Sequence, residues 1–252
     1  FVTIGAYVGF LAANVAGLPV GVALLISLVL TAVIGWGLAE LTFEPLYETG
    51  PVPLLLTSIG LGLVLRNGLR LIAGASPRYY ATAKPTVFRF ESLGFFFTSQ
   101  QAFIVGVTLA LVIVLHLFLD RTKLGVAMRA TADNEALALV TGINTRRVRM
   151  AVWLIASGLA GVAGVLLALN RSASPGVGFS QLLLVLTAAI LGGAGSPFGA
   201  VAGSYILGIG ISVSIAFLPT SLSDFGTTMA FVVLILVLLV RPGGLANQEV
   251  DV

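Results

Sequence analysis

The residues in this sequence that are equipped for chemistry are few, and their spacing excludes most reactions. Gly192, Gly193, Gly195, Ser196 and Pro197 form the stretch most suggestive of a phosphate cradle. A P-loop, however, needs GxxxxGK followed by Ser or Thr, so that lysine and hydroxyl reach phosphates and magnesium. The only lysines are Lys84 and Lys123, and Pro85 and Leu124 follow them. The stretch therefore reads as a tight turn, and the chain is not itself an ATPase. There is no cysteine and a single histidine, His116, so neither thiolate chemistry nor a His-cluster metal site can be assembled. A proton relay through His116 would need titratable neighbours, and the sequence around it supplies none at membrane depth. No catalytic set and no metal site emerge.

The remaining polar chemistry is concentrated in residues 120–149, DRTKLGVAMRATADNEALALVTGINTRRVR. Arg121, Lys123, Arg129, Arg146, Arg147 and Arg149 are six of the chain's 13 basic residues, set against Asp120, Asp133 and Glu135. Within this loop Asp133 and Asn134 are good N-cap residues and Gly142 is a good C′ residue. The spacing predicts a helix of about two turns from Glu135 to Thr141. Ala136, Leu137 and Val140 stand three and four apart on one of its faces, an apolar patch in a charged loop that calls for a partner, the headgroups or the chain's own spans.

The elements that must carry this loop are membrane helices. Hydrophobic residues make up 58% of the 252 and charged residues 9%, with a mean hydropathy of +1.09, far from the soluble average. The expected fold is an all-α integral membrane protein, a polytopic helical bundle of about seven or eight hydrophobic segments in one domain over 1–252. The net charge of +3 fits cytoplasmic loop anchors rather than nucleic-acid binding, and the six basic residues of the loop are read as anchors fixing orientation against membrane lipid.

In chain order, 1–14 reads as the remainder of a longer helix, broken by AGLP at 16–19. The chain opens on Phe1 without a basic region ahead of it, which suggests that an N-terminal segment is missing. Residues 18–39 form an uncharged span, with Glu40, Glu44 and Glu48 after it around Pro45. The next span, 51–72, carries Arg66, Asn67 and Arg70 in its second half, placed either to snorkel or to line a polar path. The aromatic, turn-rich segment 73–99 reads as a non-cytoplasmic loop. A span at 101–119 leads into 120–149, and 150–170 leads out of it. Gly158, Gly161 and Gly164 leave little bulk on the latter, and Gly195, Gly199 and Gly203 recur at four-residue spacing, followed by Gly208. Both sets predict close helix packing. Spans are expected at 181–193, 200–218 and 225–240, the last ending at Arg241, Pro242 and Gly243. With 120–149 inside, this count places Arg241 inside as well, and 40–50 too.

Several passages together resemble the permease subunits of branched-chain amino-acid ABC importers, the Liv type and its H-like subunit in particular. They are GAYV at 5–8, FEPLYETGPVPLLLTSIGLGLVLRN at 43–67, LGVAMRATADNEALALVTGINTRRVR at 124–149, GLAGVAGVLLAL at 158–169 and AAILGGAGSPFGAVAGSYILG at 188–208. The resemblance implies that the loop carries a short cytoplasmic coupling helix of the EAA type, which docks on an ATP-binding subunit. Asp133, Asn134 and Glu135 would then open that helix, and Ala136, Leu137, Val140 and Gly142 would be its contacts. The family's glutamate six residues before the glycine is here Ala136, with Glu135 one earlier, and Glu44 and Glu48 stand where relatives tend to carry arginine.

By the same resemblance the partners are two ATP-binding subunits, a sister permease forming a heterodimer, and an extracytoplasmic solute-binding protein. ATP and magnesium belong to the partner subunits, and this chain binds no cofactor. The setting is a prokaryotic cytoplasmic membrane and the cargo a branched-chain amino acid, with urea, short amides or another small solute as the alternative. A self-contained secondary transporter or channel would need more intramembrane ionisable residues than Arg66 and Arg70. Substrate contact would fall to backbone and small polar groups such as Ser157, Asn170 or Thr187, each of which also suits helix packing.

Overall fold

A computed structural model describes residues 1–81, 86–90, 95–193, 195–217 and 235. The described chain is almost wholly helical. Helix α1 (Val2–Phe10) continues through one π-helical turn to Val15, and Gly17, at φ +65°, turns the chain into Pro19, which precedes α2 (Val20–Leu38). A π turn (Ala39–Phe43) and a 3₁₀ turn (Glu44–Thr49), with Pro45 in its first turn, extend α2. Helix α3 (Pro51–Ala73) starts on a proline in the first-turn position that tolerates the missing N–H. Strands β1 (Val87–Phe90) and β2 (Phe95–Thr98) pair antiparallel, with Phe88 stacked on Phe97. Helix α4 (Ser99–Arg121) opens on a capping box between Thr98 and Gln101. Then come α5 (Lys123–Asp133), α6 (Glu135–Val140), α7 (Thr145–Asn170), α8 (Val177–Gly192) and α9 (Pro197–Phe217).

Among the described residues, four helical segments can cross a membrane by length and composition: 20–49, 51–73, 99–121 and 145–170. The α8 and α9 pair is bent by 119° and counts at most as a fifth span, and α1 is short and apolar. The separate spans expected at 181–193 and 200–218 correspond to α8 and α9, two helices with a sharp turn between them. Glycines and Pro197 break the run, and the second helix folds back on the first. Apart from Ile235, the expected span 225–240 and its stop at Arg241 to Gly243 lie outside the described residues.

The chain divides into two compact units, 1–178 and 179–252. In the first, α1, α2 and α7 form the packed centre. Their contact is made by small residues: a side chain at Gly5 would strike the backbone of Gly161, one at Gly35 the side chain of Ser157, one at Gly161 the side chain of Thr31, and one at Gly164 the Val2 carbonyl. Ser27 donates to the Gly5 carbonyl at 3.1 Å across the same seam. Leu24, Val162, Val165 and Leu166 fill the apolar part.

At one end of this unit Tyr80 donates to the Ala6 carbonyl at 2.8 Å, Asn14 to that of Tyr79 at 3.0 Å, and Arg78 and Ala173 exchange backbone hydrogen bonds at 2.8 Å. Helices α3 and α4 bury no residue within the chain. In the second unit Ala188, Leu191 and Leu207 form a small core with Leu184 and Ile211. Gly192 faces the Gly199 backbone there, and Gly203 faces the Ala188 carbonyl at 2.5 Å from where a Cβ would stand.

Candidate functional site

At the opposite end of the first unit lie the α5 and α6 segment, the start of α7 and the end of α2. Thr122 ends α4 and caps α5 by accepting from the Gly125 N–H at 3.0 Å. Arg129 then reaches back to the Leu119 carbonyl at 2.8 Å and to Asp120 at 2.5 Å, and Asp120 also has His116 one turn away at 3.3 Å. His116 is therefore placed against a carboxylate at a helix end.

Asn134 closes α5 and opens α6, its side chain accepting from the Leu137 N–H at 2.9 Å. Asp133 is the last residue of α5 and does not cap α6. Past Val140, Gly142 takes φ +87°. The Gly142 N–H then bonds the Leu139 carbonyl and the Ile143 N–H the Ala138 carbonyl, both at 3.0 Å. These are the two bonds of a Schellman ending, which glycine adopts without Cβ strain. Asn144 caps α7 by accepting from Arg147 N–H at 3.0 Å, so Thr145 to Val148 are the first turn of a span and Arg149 follows in its second. The polar passage is shorter than 120–149 for that reason.

On α6 only Ala138 is buried. Ala136 is exposed, Leu137 is 60% exposed and Val140 86%, so the face predicted from their spacing is presented outward. Its other side is held by charge. Glu135 accepts from Arg149 at 2.6 Å with one oxygen and from the Tyr47 hydroxyl at 2.7 Å with the other. The Tyr47 hydrogen bond, aided by Arg149 and opposed by burial, holds the Glu135 carboxyl below its usual range. The second arm of the Arg149 fork donates to Glu44 at 2.8 Å, and its guanidinium lies 3.7 Å from the centroid of the Tyr47 ring. Glu44 also faces Arg146 at 3.3 Å, and Arg146 pairs with Glu40.

Two arginines in the first turn of α7 sit at the positive end of a helix dipole, an arrangement that costs about 0.3–1 kcal/mol per charge when exposed. The carboxylates of the α2 extension offset it.

The acidic joint after α2 is thus the counter-charge of α7. Glu40, Glu44 and Tyr47 are site residues that sequence reasoning passed over. Arg146, Arg149 and Arg129 are bound to protein carboxylates, whereas Arg121, Lys123 and Arg147 are exposed.

A groove of about 540 Å³ between α2 and α7 is lined by Trp36, Glu40, Arg146, Arg147, Met150 and Leu154 among others. Among the described residues no group of three or more His, Cys, Asp and Glu could hold a metal ion. Ser157 and Thr187 are buried and donate to carbonyls of their own helices, while Asn170 is exposed at the end of α7. Gly158, Gly161 and Gly164 lie buried on α7, and Gly199 and Gly203 are buried on α9. Gly195, at φ +104°, falls in the turn before α9 and does not share its face, and Gly208 meets nothing within 4 Å.

Residues 1–240 match the family described as branched-chain amino acid transport system / permease component. The high-affinity branched-chain amino acid transport system permease protein LivH of Escherichia coli is 33% identical over 265 residues, covering 98% of this chain and 84% of the relative. The corresponding permease protein BraD of Pseudomonas aeruginosa is 31% identical, covering 98% and 84%. LivM of Escherichia coli, also a permease protein of that system, is 28% identical over 153 residues, 58% of this chain and 35% of the relative. No solved structure matches.

Proposed function

The chain belongs to the branched-chain amino-acid transport permease family, and on that premise we propose that it moves branched-chain amino acids into the cell as one membrane subunit of an ATP-binding-cassette importer. The observation that carries this reading is the 33% identity to LivH over nearly the whole chain. The likeness to LivM supports a sister permease of related build and hence a heterodimer. ATP and magnesium act on two separate ATP-binding subunits, and a solute-binding protein delivers cargo on the far side of a prokaryotic cytoplasmic membrane. The full set of about seven hydrophobic segments then comprises α1, α2, α3, α4, α7, the bent pair and residues 225–240.

Helix α6 is the part that meets the motor. Its exposed Leu137 and Val140 supply an apolar face, and its capped ends make it a rigid body short enough to seat in a groove. Closure of the ATP-bound subunits displaces the helix, and the permease converts that displacement into gating, provided ATP binds the two states unequally.

Reconstitution with the ATPases, sister permease and binding protein is expected to give ATP-dependent uptake of labelled leucine. Uptake by this chain alone without ATP would sink the reading. Leu137→Asp is expected to abolish co-purification of the ATPase while leaving membrane insertion intact.

A further inference from the structure

We propose that Arg149 is the positioning residue that binds helix α6 to the two central spans, so that movement imposed on α6 is passed to α2 and α7 together. The proposal rests on the reading of α6 as the coupling helix. A six-residue helix has little stability of its own, and α6 buries only Ala138. Its polar attachments run through Glu135, which is held by Arg149 of α7 and by Tyr47 of the α2 extension.

Arg149 is the hub of this arrangement. One arm of its fork holds Glu135 at 2.6 Å, the other holds Glu44 at 2.8 Å, and its plane lies over the Tyr47 ring. One side chain on α7 thus grips both the coupling helix and the end of α2. Only a planar, forked cation does all three at once; a lysine ammonium is a point charge and cannot. The two spans it joins are packed closely through Gly35 against Ser157, Gly158 against the Leu28 carbonyl and Gly161 against Thr31, so a force reaching either is carried by the pair. Arg149 is one-fifth exposed and Glu44 less, which removes much of the screening that makes surface ion pairs weak.

This differs from the role of a basic residue that merely keeps its loop inside the cell. An anchor needs only positive charge, so Arg149→Lys separates the two roles. In proteoliposomes holding the complete transporter, Arg149→Lys is expected to insert and co-purify with the ATPase as wild type does. Transport per ATP hydrolysed should fall by at least ~5-fold, the lower end of ordinary coupling between sites.

The chain has no cysteine, so a covalent substitute for the ion pair is practical. Glu135→Cys with Arg149→Cys should be uncoupled when reduced and regain most of its transport per ATP when bridged by a short bismaleimide. Wild-type coupling in Arg149→Lys would overturn the proposal, as would a bridged pair that stays uncoupled. Failure of the docking reading shows separately, as retained ATPase co-purification in Leu137→Asp.

Discussion

Glu135 stands one residue away from where the EAA pattern places its glutamate, yet it is tied to the fold through both oxygens. Its carboxyl is held below the ordinary carboxylate range first by the Tyr47 hydroxyl and then by Thr145 and Arg149, against the opposing effect of burial. A depressed carboxyl stabilises the arrangement fully above its unfolded pKa, about 4.3, and the contribution is lost as pH falls through the lower folded value. The tie is therefore complete throughout the neutral range, and acidification to pH 5 leaves it intact. A carbon-detected NMR titration of the Glu135 carboxyl should give a midpoint below that of a free glutamate, moving up in Tyr47→Phe. A midpoint at or above the free value would contradict the geometry. Arg149 carries no such pH limit, since a guanidinium stays charged throughout.

Helix α6 was legible because its boundaries are written locally, Asn134 and Gly142 each acting on backbone within a few residues, whereas the cap of α7 at Asn144, ahead of the span expected from residue 150, was passed over. Helix α5 was not legible, although Thr122 and Asn134 bracket it, because Leu124, Val126 and Met128 recur at every second residue and not at the three- and four-residue spacing of a helix face. The β1 and β2 hairpin was hidden among turn residues and aromatics. The apolar face of α6 followed from spacing, whereas its outward presentation and its tether did not. Tyr47 is 88 residues from Glu135, and Glu44 is 105 from Arg149, and no periodicity links residues so far apart. The glycines of α7 were legible as packing positions, but only coordinates tell which are critical. A side chain at Gly164 would meet backbone, the Val2 carbonyl and the Ala6 nitrogen, which cannot rotate aside. Gly164→Ala is thus expected to cost about 1–3 kcal/mol through overpacking. Gly208→Ala, in open space, should cost nothing and gain up to about 1 kcal/mol from helix propensity. Thermal unfolding of the two variants in detergent checks the pair.

The path of the whole chain through the membrane turns on the α8 and α9 pair. If the pair were one broken span, a chain leaving the cell along α7 would return through it. Residues 225–240 would then carry Arg241 to the outside, against the preference of basic residues for the cytoplasmic face. Packing within the pair points the other way. Gly192 faces Gly199, Gly203 faces the Ala188 carbonyl, and Leu184 and Ile211 pack against the same small core, so the second helix packs back on the first across a bend of 119°. A hairpin enters and leaves on one side whether or not its tip reaches the other. If α7 starts inside, the span expected at 225–240 would then end inside at Arg241, as the preference of basic residues asks. Because the chain lacks cysteine, Ser180→Cys and Ser212→Cys can each be labelled alone. Both residues are exposed, and both are expected to react with a membrane-impermeant maleimide added outside the cell. Labelling of Ser180→Cys from outside and of Ser212→Cys only after permeabilisation would establish a single broken span and reverse the sidedness of everything after Phe217.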